Sequence, residues 1–185
     1  MNLNELLEDI RTMYVDDLVA AASALKGQGD VRLEAALRDE AGALVREGPH
    51  GLGMRVDIAV LGEDATTHAV DSERMIDFEP GELEYENLVV EIAPFMWDAV
   101  KLRLEPADAK VEPFVAWFER WFASDEEGDA PYGVVHFMSD PAVEDGALEI
   151  DLDLGSASVD AFEDLLDACV AAGVTNAWLG TPTEE

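Results

Sequence analysis

The stretch AVKLRLEPADAKVEPFVAWFERWF at 99–122 lies on ALEIDLDLGSASVDAFEDLLDACV at 147–170 without a gap. Identical residues fall at Ala99 and Ala147, Leu104 and Leu152, Ala109 and Ala157, Val111 and Val159, and Phe114 and Phe162. Both stretches also share a physical grammar. An alternating apolar and polar run predicts a strand, a turn follows with a helix-capping candidate (Asp108 or Ser156), and apolar residues then recur at helical spacing. Each copy precedes a further strand-like run, at 132–138 and 175–179.

The resulting order, β-α-β-β-α-β, is similar to the ferredoxin-like split-βαβ arrangement, with two helices on one face of an antiparallel sheet. The likeness is to a fold and not to a particular family. It predicts that strand 99–105 lies beside strand 147–154. Side chains alternate across a strand, so Val100, Leu102 and Leu104 should face the helices with Leu148, Ile150, Leu152 and Leu154. The open face should then carry Lys101, Arg103 and Glu105 beside Glu149, Asp151 and Asp153, with His136 of the next strand near Asp151.

Upstream, Asn2 and Glu5 read as a capping pair, and apolar residues from Leu3 to Leu25 recur at helical spacing. Lys26-Gly27-Gln28-Gly29 breaks that helix. Asp30 and the spacing of Leu33, Ala36, Leu37, Ala41, Leu44 and Val45 predict a second helix ending at Gly48-Pro49. The period then changes, with strand-like runs at 55–61, 75–78 and 88–92. The expected protein is α+β and a single domain over 1–185. It comprises an N-terminal αα-hairpin at 1–48, a β-meander at 54–93 that extends the sheet through a hairpin from 88–93 to 99–105, and a ferredoxin-like unit at 99–180 built from the internal repeat.

Charge bounds function more tightly than any motif. From Trp121 to Glu185 there is no lysine or arginine, and the formal net charge of the chain is −31. Exposed carboxylates repel polyanions, which disfavours nucleic acid and anionic membrane as partners and leaves a basic protein surface as the expected one. A hydrophobic content of 49% argues for a folded core and against an acidic disordered tail. The N-terminus has neither a basic segment nor a continuous apolar run, and the single Cys169 sits in an apolar helical pattern; a cytoplasmic protein is expected.

No catalytic signature stands out, and no cofactor or metal is expected. The histidines at 50, 68 and 136 lack ligand spacing, so a transition-metal site would have to be assembled from distant segments. Asp151-x-Asp153-x-Gly155 lacks the third ligand and the closing glutamate of a calcium loop.

Two surfaces are candidates. The turn Pro94-Phe95-Met96-Trp97-Asp98 is apolar where turns are usually polar; folding of these side chains over one end of the core is the simpler reading, and the functional one makes Phe95, Met96 and Trp97 the anchor for a protein partner, steered by Asp151 and Asp153. The open sheet face carries a polar cluster of Lys101, Arg103, His136 and Glu149, for which ordinary cross-strand ion pairs are the simplest reading. The aromatic helix 109–122 should pack on two sides, against the sheet and the N-terminal hairpin, with a homodimer interface as the alternative. The expected function is a non-enzymatic acidic binding module, such as an antitoxin or immunity-type inhibitor of a basic protein. The alternatives are adaptation to a salty cytoplasm, or a small-molecule binder or enzyme using the open face.

Overall fold

The computed structural model describes residues 2–71, 73–123 and 128–183. Helix α1 (Leu3–Ala24) starts with the expected capping box: the Asn2 side chain accepts from the Glu5 N–H while the Glu5 carboxylate accepts from the Asn2 N–H. Its buried residues, Leu7, Ile10, Tyr14, Leu18 and Ala22, repeat every three or four positions and set one stripe against the core.

The second helix is not formed. Strand β1 (Asp30–Leu33) follows instead, pairing with β2 (Ile58–Leu61), which pairs with β3 (Thr66–His68) in a small antiparallel sheet. Glu34 then takes a left-handed backbone with φ 55°, which ends any helical continuation. Its N–H donates to Asp57 O and its carbonyl accepts from Arg55 and the Tyr132 hydroxyl, so contacts distant in sequence override the local apolar spacing. Between Arg38 and Leu52 the chain is a run of turns joined by short bridges.

The larger sheet is mixed and has seven strands. Strands β4 (Gly81–Tyr85) and β5 (Leu88–Ile92) form a hairpin at one edge. Next in the chain come β6 (Val100–Glu105), α2 (Glu112–Phe122), β7 (Phe137–Met138), β8 (Ala142–Glu144), β9 (Ala147–Asp153), α3 (Val159–Ala172) and β10 (Asn176–Gly180). The spatial order is β4-β5-β10-β6-β9-β7, with β8 also on β9. The meander therefore divides: β2 belongs to the small sheet, β4 and β5 to the large one, and 75–78 forms no strand. No hairpin joins β5 to β6, because β10 enters between them, parallel to β5 and antiparallel to β6.

In the order β10-β6-β9-β7 each strand is antiparallel to its neighbour, and the strands flanking each helix, β6 and β7 for α2 and β9 and β10 for α3, have one strand between them. Val100, Leu102 and Leu104 pair with Leu152, Ile150 and Leu148, and all six are buried under the helices, as alternation requires. Phe114 and Phe162 are buried in the same core. The helix starts shift from the expected caps: Ser158 precedes α3 and Val111 precedes α2. The aromatic surplus of α2 is used against α3, where the Trp117 indole donates to Ala161 O at 2.8 Å and that of Trp121 to Asp164 at 3.0 Å. Among the described residues no helix is long and apolar enough to cross a membrane.

Candidate functional site

Four segments far apart in sequence meet between the small sheet and one end of the large one. The end of β1 supplies Glu34, the entry to β2 supplies Asp57, the segment before β7 supplies His136, and the end of β9 supplies Asp153. Gly133, with φ 76°, turns the chain ahead of His136. His136 N donates to Asp153 O and His136 O accepts from Arg55 N, so the backbone bridges both sheets. His136 and Glu34 are each 0% exposed.

Both ring nitrogens of His136 face carboxylates. Nε2 is 2.7 Å from Glu34 Oε1, while Nδ1 is 3.1 Å from Asp57 Oδ1 and 3.6 Å from Asp153 Oδ2. Glu34 is held by its own donors: Ser156 N at 2.9 Å on Oε1 and Tyr132 N at 3.1 Å on Oε2. Asp57 accepts from the Tyr14 hydroxyl and from Val70 N, both at 2.7 Å, and Asp153 Oδ1 accepts from Gly155 N at 2.9 Å. Gly155 is required here. Its φ is +54°, and a Cβ on it would lie 2.3 Å from Val134 O and 2.4 Å from the imidazole.

Burial disfavours charge on His136, but the hydrogen bonds to Asp153, Asp57 and Glu34 prevail and hold its pKa well above the usual imidazole value. Burial likewise pushes Glu34 and Asp57 up. Hydrogen bonds from His136, with Ser156 for Glu34 and Tyr14 for Asp57, outweigh it and leave both below the usual carboxylate range. Asp98 has the opposite balance: burial, then the charges of Asp153 and Asp57, push its carboxyl up to about 6. Burial and the same two aspartates raise the Tyr14 phenol. The protein alone thus forms an imidazolium clamp that ties four segments together. The nearby hydroxyl of Ser156 is buried and accepts from Gly133 N at 2.9 Å, so it is not presented as a nucleophile.

The residues singled out from sequence are dispersed. Phe95 and Trp97 are buried, their rings stacked with centroids 6.4 Å apart, and Met96 is half-buried with its N–H on Thr181 Oγ1. The 94–98 turn therefore folds over one end of its own core and does not present these rings as a surface anchor. The apolar composition that marked it is core composition.

Lys101 pairs with Glu149 at 3.1 Å and Asp151 at 3.3 Å, and Arg103 pairs with Glu149, forming cross-strand ion pairs on the open face. Asp151 is exposed, while Asp153 turns toward His136. His136 is not on the open face: the expected strand 132–138 is reduced to two residues, and the segment around Arg55 covers what precedes it. Glu34, Asp57 and Tyr14 carried no local signal beyond a charged or polar residue within an apolar run.

The open face holds one further grouping. In register across the sheet lie Glu82 of β4, Glu91 of β5, Trp178 of β10, Arg103 of β6 and Glu149 of β9. Glu82 and Glu91 are exposed and directly opposed, and Trp178 beside them is half-exposed. Gly180 makes room for the indole: a Cβ there would lie 2.5 Å from Trp178 Cζ2. No protein-family model matches the chain, and no curated protein or solved structure matches it significantly.

Proposed function

We propose that this protein is a non-enzymatic acidic binding module that covers a basic protein surface, in the manner of an antitoxin or immunity-type inhibitor, and that its open sheet face is the contact surface. The observation that carries this reading is the row Glu82–Glu91–Trp178. Like charges directly opposed across a strand pair are unfavourable in the free chain, and a lysine or arginine from a partner relieves that repulsion. The π-face of a tryptophan beside the two carboxylates adds a second attraction for the same cation. Trp178 takes the anchoring role that the sequence had directed to Trp97, and the lysine- and arginine-free stretch from Trp121 onward supplies long-range steering. A second acidic copy is disfavoured as the partner, since two such faces repel.

The finer reading of 99–180 as a ferredoxin-like unit derived by duplication is also a proposal. It is supported by the strand order β10-β6-β9-β7 and by the burial of Phe114 and Phe162 in one core.

The test is quantitative affinity capture from native lysate at low and high salt, using the wild-type chain, Trp178→Ala and the double variant Glu82→Lys/Glu91→Lys. Capture of basic proteins that weakens with salt and is lost in both variants is the expected result. Capture that shows no preference for basic proteins, or that survives in both variants, overturns the reading. Melting temperature against salt concentration tests the alternative of salt adaptation, which requires that the fold be lost without molar salt.

A further inference from the structure

We propose that His136, Asp57 and Asp153 form a binding site for a single divalent first-row transition-metal ion. Nδ1 of His136 lies 3.1 Å from Asp57 Oδ1 and 3.6 Å from Asp153 Oδ2, and the three donor atoms lie within 4.8 Å of one another. An ion bonded to imidazole nitrogen and carboxylate oxygen at about 2.0–2.2 Å holds adjacent donors roughly 3.0–3.5 Å apart. Two of the three separations are thus already near what coordination needs, and the third, which is at most 4.8 Å, would close by turning of the Asp153 carboxylate, whose side chain is 25% exposed.

The cluster differs from a surface patch of acids because its central donor is a histidine with no freedom. His136 is fully buried, and its Nε2 is committed to Glu34, which is itself fixed by two backbone N–H groups. Once an ion displaces the Nδ1 proton, the Nε2 proton stays hydrogen-bonded to Glu34 and the Nδ1 lone pair would face the ion between the two aspartates. A carboxylate behind the imidazole is what orients metal-binding histidines and raises their basicity. The Tyr14 hydroxyl donates to Asp57 Oδ1 itself at 2.7 Å and fixes the orientation of that carboxylate beside the ring. Gly155 keeps the ring's place clear, since any side chain there would collide with it.

Charge points the same way. Around the ring stand three carboxylates against one imidazolium, and a divalent ion replacing the Nδ1 proton lowers that imbalance. One nitrogen with two oxygens suits zinc, manganese, iron or cobalt better than magnesium or calcium, which favour all-oxygen sets. The partial exposure of Asp153 gives an entry path and leaves that side of the ion open to water.

The full chain, stripped with a chelator, is titrated calorimetrically with Zn²⁺ in excess Mg²⁺, which occupies weak surface carboxylates. Co²⁺ is followed in parallel by its visible absorbance. Expected are one Zn²⁺ per chain, a Co²⁺ band distinct from that of the aquo ion, and affinity lower by about 10-fold or more in Asp153→Asn and about 10–100-fold in Glu34→Gln. Asp151→Asn, on the open face, should bind as the wild type does. Several weak equivalents displaced by Mg²⁺, an aquo-like Co²⁺ spectrum, or equal affinity in a folded Asp153→Asn variant overturns the proposal. The wild-type stoichiometry and spectrum decide the matter even if a variant fails to fold.

Discussion

Replacing Asp98 by asparagine should stabilise the metal-free protein at neutral pH and leave it nearly unchanged in acid. Its carboxyl is pushed from 3.8 to about 6, first by burial and then by the charges of Asp153 and Asp57, with the His136 charge only partly offsetting them. A rise of that size corresponds to about 3 kcal/mol of penalty on the ionised form. Asp98 is only partly buried, so solvent screening reduces the expected effect to about 1–2 kcal/mol. The folded state holds this proton more tightly than the unfolded chain does. The associated stability is present in full below the unfolded value of 3.8 and is lost as pH rises through about 6. Asparagine keeps the shape and removes the charge. Urea unfolding of both proteins between pH 4 and 7.5, in chelator, should show the variant ahead by about 1–2 kcal/mol at pH 7.5 and within about 0.5 kcal/mol near pH 4. A variant less stable at pH 7.5, or a difference independent of pH, would refute the reasoning.

Gly155→Ala forces a left-handed alanine and drives its Cβ into Val134 O and the His136 ring, so it should cost about 3 kcal/mol. Gly133→Ala, equally left-handed at φ 76° but with open space around it, should cost only about 1 kcal/mol, and chemical denaturation of the two separates collision from backbone strain. Phe114→Ala and Phe162→Ala should each lose about 3–5 kcal/mol by cavity formation, read from the same transitions. Burial pushes the Cys169 thiol up to about 12, so it should resist a thiol reagent at pH 8 in the native protein and react on unfolding.

What could be read from the sequence was what period and local capping decide. The capping box at Asn2 and Glu5, the helix side of Val100, Leu102 and Leu104, and the amphipathic stripes of α2 and α3 follow from spacing that no distant contact disturbs. Residues 30–48 carried an equally regular apolar spacing, yet Glu34 abandons helical geometry because His136, Arg55, Tyr132 and Asp57 claim its side chain and both its backbone groups. The site was illegible for the same reason: Glu34 and His136 meet from 102 positions apart. At 94–98 apolar content says that a side chain will be buried and not by what; Phe95 and Trp97 are buried by their own chain, the simpler of the two readings. Trp178 gives no signal in the sequence because a single aromatic in a strand resembles core, and only the neighbouring register shows it beside Glu91.

The entry of β10 between β5 and β6 also constrains how the molecule is made. The ribosome delivers Asn176–Gly180 only after every other strand of the large sheet has emerged, and until then β5 and β6 each keep one row of backbone donors and acceptors without the partner it will have. A nascent chain in that condition carries two open edges flanked by apolar side chains, the arrangement most prone to pairing with a neighbouring chain. Glu91 of β5 and Glu105 of β6 place an exposed carboxylate on each of the two strands. Like charge on an unpaired strand edge disfavours its pairing with another copy.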